Sequence, residues 1–109
     1  IITVTHGKIF DVAVDLRKGS KTFLKWYSII LDHKLKNSIL IPKGFAHGFQ
    51  SLTQKASLLY FHTNFYNVNY ENGINPLDKK INIKWPVEVK NISKKDKNYN
   101  FLQNDFIGI

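Results

Sequence analysis

The chain has no cysteine among its 109 residues. Disulfides, thiolate zinc sites and cysteine nucleophiles are thereby excluded. It also lacks any long hydrophobic run. Stretches such as Ile29–Leu31 are a few residues long, against roughly 20 for a membrane-spanning helix, so no membrane partner is expected. No charged-then-apolar signal segment opens the chain, which begins at Ile1 rather than Met. The expected compartment is therefore the cytoplasm, and the N-terminus reads as a cut end. Arginine is nearly absent: Arg17 is the single one among 16 cationic residues, and the rest are lysine. Internal repeats and linkers are missing too, so one domain, or part of one, accounts for residues 1–109.

What is present is a core-forming composition with a basic balance. Hydrophobic residues make up 43% and aromatics 14%, too much for a disordered chain. The 16 cations face 8 acidic residues, for a formal charge of +8. Nucleic-acid readers favour arginine, whose planar fork pairs with phosphates and guanine edges. Here the lysines are scattered, with one cluster at Lys94, Lys95 and Lys97. A solvated basic surface with no nucleic-acid partner is expected, and an anionic small molecule is compatible with it.

The hydrophobic pattern predicts strands. From Ile9 to Leu16 the even positions Phe10, Val12, Val14 and Leu16 are apolar, and the odd ones include Asp11 and Asp15. Such alternation predicts a half-buried strand with one wet face. Thr22 to Leu31, Ser38 to Ile41, Phe45 to Leu52 and Ser57 to Thr63 predict further strands, separated by turn signals such as Pro42-Lys43-Gly44. Residues 64–75 are asparagine-rich and predict a loop. Ile81 to Trp85 alternates again before Pro86, and the segment from about 91 to 109 reads as a polar tail. Short strands at about ten-residue spacing indicate an all-β sandwich or barrel.

Several segments, taken in order, resemble one family. GKIFDVAVDLRKGS over Gly7–Ser20 is similar to the G-x-V-x-D-V-x-V-D-L-R-x-G-S stretch of the dTDP-4-dehydrorhamnose 3,5-epimerases. IPKGFAHGF over Ile41–Phe49 resembles their I-P-x-G-F-A-H-G-F, and Tyr60–Asn67 their Y-x-x-T-x-Y-Y-N. Gly73-Ile74, Ile81–Pro86 and Ser93–Asp96 resemble the G-I-x-W, I-x-W-P and S-x-K-D elements. The resemblance implies an all-β, cupin-type jelly-roll sandwich, incomplete at its N-terminus. It also implies a homodimer acting on a dTDP-linked 4-keto-6-deoxy sugar in dTDP-rhamnose synthesis, with no cofactor.

The implied chemistry is proton transfer. In a 4-keto sugar the hydrogens on C3 and C5 lie next to a carbonyl and are acidic. Epimerisation requires a base on one face, an acid on the other and donors for the enolate oxygen. By resemblance, Tyr66 is the proton donor, with Phe65 replacing the first tyrosine of the family pair. Asp96 falls on the aspartate that orients the histidine base. That base belongs to an L-R-G-x-H-Y-Q-like segment with no counterpart in Ile1–Phe10, where His6 stands in a Thr-His-Gly context. The chain thus resembles the C-terminal portion of the enzyme.

Other candidates carry plainer expectations. His47, between small and aromatic residues, is a candidate substrate contact or a hydrogen-bonded pocket-wall histidine. His62 shares a face with Leu58 and Tyr60 and reads as structural, His33 as exposed, and Arg17 as an ion-pair partner for Asp15. Metal-binding cupins present H-x-H pairs; here no two histidines are two apart, so no metal is expected. Three functional classes remain open from the residues: the 3,5-epimerase or a related 3- or 5-epimerase, an inactive truncated remnant of it, and a basic β-domain that binds anionic polymers.

Overall fold

Three of the four residues Ile2 to Thr5 that open β1 (Ile2–His6) beside Val4 are Ile or Thr, so all four are β-branched and favour extended backbone. Gly7, at φ +80°, turns the chain directly into β2 (Lys8–Asp15). A Cβ at this position would overlap the Lys55 carbonyl oxygen and lie 2.6 Å from Thr53 Oγ1, so glycine is required twice over. The strands β3 (Trp26–Asp32), β4 (Ser38–Ile39), β5 (Phe45–Ser51) and β6 (Ser57–Tyr60) follow, then the five-residue helix α1 (Lys94–Asn98). The structure is a computed structural model that describes residues 1–61, 74–89, 92–103 and 105–109. Residues 62–63 of the strand expected after Ser57 lie outside this set, as does most of the asparagine-rich loop. No helix among the described residues is long and apolar enough to cross a membrane.

The strands form two antiparallel three-stranded sheets, ordered β4-β1-β6 and β3-β2-β5. Ile9 and Leu31 from one sheet and Ile2 and Val4 from the other pack together, the first two with no exposed surface. Each such aliphatic side chain contributes about 1.5–3 kcal/mol through burial. On its other face, β2 sets Phe10, Val12 and Val14 against Ile81, Ile83 and Trp85.

The wet face expected for Ile9 to Leu16 is absent. Every residue from Ile9 to Leu16 is buried, Asp11 and Asp15 included. The reason is position: β2 is the central strand of its sheet and is covered on both sides. Its aspartates are buried because each meets a partner rather than water. Ile81 to Trp85, despite its alternation, is not a strand. Asn82, at φ +55°, breaks the extension, and the segment lies across β2 as an irregular cover.

The C-terminal residues carry apolar anchors. Leu102 and Phe106 pack on the β2 cluster, and Phe106 stacks on Phe23 with ring centroids 5.8 Å apart. The Ile109 N–H donates to the Leu16 carbonyl at 2.8 Å, and the Lys18 N–H donates to that of Ile109 at 3.2 Å.

Candidate active site

The antiparallel register of β2 and β5 pairs Asp11 with Phe49 and Ala13 with His47. Residues two apart on a strand share a face, so Asp11 and His47 become diagonal neighbours. His47 Nε2 lies 2.8 Å from Asp11 Oδ2. Asp11 is fully buried, whereas the imidazole keeps about a fifth of its surface open. The other carboxylate oxygen, Oδ1, is buried with no hydrogen-bond partner among the described residues. Burying a carboxylate costs several kcal/mol unless it is paired, and a histidine with one edge open is the partner found. With Nε2 facing Asp11, the ring orientation is fixed and Nδ1 is left for other contacts.

Two aromatic rings frame the imidazole. Phe49 lies 6.2 Å away at an interplanar angle of 30°, and Tyr60, from the opposite sheet, meets it edge-on at 6.0 Å. Burial, and secondarily the charge of Asp11, raises the Tyr60 phenol above its ordinary range. Tyr60 faces the cleft as a hydroxyl-bearing ring.

His47 and Tyr60 open onto a cleft of about 690 Å³ whose wall also includes Gln50, Trp85, Glu88 and Asp96. Gln50 holds the far wall. Its Nε2 donates to the Val87 carbonyl at 3.0 Å and its Oε1 accepts the Val87 N–H at 3.2 Å. Trp85 Nε1 donates to the Pro76 carbonyl at 3.0 Å. Asp96 is the third residue of α1; its N–H donates to Ser93 Oγ at 3.1 Å, the serine half of a capping box.

The structure thus brings two residues singled out from the sequence, His47 and Asp96, to one cleft. Tyr66, the third, lies outside the described residues, as do Phe65 and His62. Arg17 forms an ion pair with Asp15: Nε donates to Oδ1 and Nη2 to Oδ2, both at 3.0 Å, and its guanidinium lies 4.9 Å from the Phe45 ring centroid. His33 is exposed. Among the described residues no three His, Asp or Glu side chains converge on a common point. Asp11 and Tyr60 were not singled out from the sequence. The signal for Asp11 was there, an acid inside an otherwise apolar strand, but alternation gave it to solvent.

Known proteins agree with this architecture. Residues 1–104 match the family model described as dTDP-4-dehydrorhamnose 3,5-epimerase. The enzyme of that name from Shigella flexneri is 46% identical over 107 residues, which cover 97% of this chain and 59% of that protein. The crystal structure of a dTDP-6-deoxy-D-glucose-3,5-epimerase from Legionella pneumophila, in complex with dTDP-4-keto-L-rhamnose, superposes with a TM-score of 0.88 at 40% identity. It covers 92% of this chain and 54% of that one. A dTDP-4-dehydrorhamnose 3,5-epimerase structure from Elizabethkingia anophelis gives a TM-score of 0.91 at 34% identity, over 96% and 58%. The two-sheet sandwich is accordingly the cupin-type jelly roll expected from the sequence. The chain spans less than two thirds of the length of these relatives.

Proposed function

The chain belongs to the dTDP-4-dehydrorhamnose 3,5-epimerase family, and from that premise we propose that it serves, as a homodimer, in epimerising dTDP-4-dehydro-6-deoxyglucose at C3 and C5. A base removes the hydrogen next to the ketone, the enolate is held, and an acid returns a proton on the opposite face. In this scheme Tyr66 is the acid and Asp96 orients the histidine base, which this chain does not supply. His47, backed by Asp11, contacts the substrate at the reacting end. The keto–enol step needs no cofactor.

The observation that carries the proposal is the Asp11–His47 pair at 2.8 Å opening onto the cleft that Asp96 also lines. A buried carboxylate behind a partly open imidazole is a costly arrangement for stability alone. It serves a site in which the ring must hold one orientation while charge develops on a bound ketone.

The test is deuterium wash-in. The chain, joined to a segment that supplies the histidine base, is incubated with dTDP-4-dehydro-6-deoxyglucose in D2O, and loss of the C3 and C5 proton signals is followed by NMR. Tyr66→Phe is expected to slow full epimerisation by about 10²–10⁴-fold, the usual size of a general-acid contribution, with dTDP affinity nearly unchanged. His47→Asn is expected to lose about 10²–10³-fold. A chain that binds dTDP but exchanges neither proton is the inactive remnant, and the catalytic proposal then fails for it. Unchanged turnover in Tyr66→Phe removes that residue from the mechanism.

A further inference from the structure

Asp96 stands on an element that cannot hold itself in place. Helices shorter than about 12–15 residues are marginal in water, because nucleation costs more than a turn or two of hydrogen bonds returns. α1 has five residues, and none is buried. Its position beside the cleft must therefore be imposed from elsewhere. At its N-terminal end the support is local, from Ser93 Oγ. At its C-terminal end the last carbonyls have no partner within the helix, and a side chain 22 residues away supplies one.

That side chain is Asn75. Its Nδ2 donates to the Lys97 carbonyl at 3.2 Å and to the Tyr99 carbonyl at 3.0 Å. Its Oδ1 accepts the Leu77 N–H at 2.9 Å. The amide is 8% exposed, and its orientation is dictated by its partners, since a flipped group would aim oxygen at two carbonyls. The loop beneath it is equally well tied. Asp78 accepts the Lys80 and Leu102 N–H groups at 2.9 and 2.7 Å, and Trp85 anchors Pro76. Asn75 and Asp96 also line the same small hollow next to the cleft, together with His47 and Trp85.

We propose that Asn75 is the positioning residue of the site, gripping the end of α1 so that Asp96 stands at a fixed place on the cleft wall. It touches no substrate and acts through Asp96; its catalytic consequence rests on the role given to Asp96 above. Backbone carbonyls on both sides of the helix end give the grip its stiffness. Pro76 follows immediately, and its ring restricts the backbone of Asn75 to extended geometry. The sequence Asn75-Pro76-Leu77-Asp78 is thus a fixed anvil rather than a passing turn.

Asn75→Asp tests this with almost no change of shape. The variant keeps an acceptor for the Leu77 N–H but sets an oxygen against the two carbonyls. At neutral pH the Lys97 amide, which bonds to the Ser93 carbonyl at 2.9 Å, is expected to exchange with solvent about tenfold faster or more than in the parent. The amides of β2 keep their rates. When the pH is lowered until the new carboxyl takes up a proton, a donor returns, and the excess over the parent at the same pH shrinks. Asn75→Ala gives the fast exchange at every pH and carries the measurement if the aspartate variant fails to fold. Unchanged protection of Lys97 in both variants overturns the proposal. So does loss spread evenly over β2, which would mark a general folding role.

Wash-in at C3 and C5 reads the catalytic consequence separately. Asn75→Ala is expected to slow it about as much as Asp96→Asn does. Loosened α1 together with full turnover by Asp96→Asn would sink the role of Asp96 while upholding the grip of Asn75. The exchange measurement decides the placement whether or not the chain turns substrate over.

Discussion

Asp15 is a carboxylate that the fold surrounds with donors. Arg17 lies first among them, and the Ser20 and Thr22 hydroxyls and the Arg17 backbone N–H add to it. The Arg17 guanidinium holds the Asp15 carboxyl far below the usual carboxylate range, although burial pushes the other way. A carboxyl depressed on folding stabilises the native state above its unfolded value, near 4. That contribution falls away progressively as the pH drops below 4 toward the depressed folded value. Urea unfolding between pH 7 and pH 2 is expected to show Asp15→Asn less stable than the parent at pH 7. The gap should close as the pH drops below about 4, and parallel curves would sink the assignment. The motif Asp15-Leu16-Arg17 announced this pair in the sequence because its members are two residues apart. Asp11 and His47 are 36 residues apart, and their contact exists only through the β2–β5 register. No local pattern encodes that register, so His47 was legible as a candidate and its partner was not.

At the scale of elements, β1 was not anticipated from the sequence, and β2 to β6 followed from β-branched and aromatic runs with turn residues between them. The degree of burial did not. Alternation separates an apolar face from a polar one, yet a central strand covered on both sides can still contain aspartate where a partner waits. The same limit explains Ile81 to Trp85, whose apolar residues cover β2 from an irregular segment. Period-two spacing records which side chains turn inward, and Asn82 at φ +55° shows that it does not guarantee a ladder. β2 is thus the element on which both halves of the molecule depend. Ile9 has no exposed surface and packs with Ile2, Val4 and Leu31 across the two sheets. Ile9→Ala is expected to cost about 2–5 kcal/mol, read as a lower urea midpoint with little change in slope. A loss under about 1 kcal/mol would mean that the seam collapses around the gap and that the sheets are not rigidly spaced.

At the scale of the whole molecule, the lysines are scattered and none of them is among the described residues that line the cleft. The lysines sit on β2, on the turns after it, on the segment around Lys79, Lys80 and Lys84, and on α1. The described cleft wall holds Glu88 and Asp96 and no lysine. A chain built to hold a polyanion would line its groove with cations, release many counterions on binding and lose affinity steeply with salt. Six to ten phosphate contacts correspond to a loss of about 10³–10⁵-fold between 50 and 200 mM salt. One diphosphate engages one or two cations, and the same slope then gives a loss of about tenfold or less. Titration calorimetry with dTDP across that salt range is expected to show the shallow dependence. Heparin, a polyanion without a nucleoside, should bind weakly even at 50 mM, because the scattered lysines cannot all face one extended chain. A steep salt dependence for heparin with no preference for dTDP would favour the polyanion-binding alternative. The Asp11–His47 pair would then need another explanation for a buried carboxylate that opens, through its imidazole, onto an acid-lined cleft.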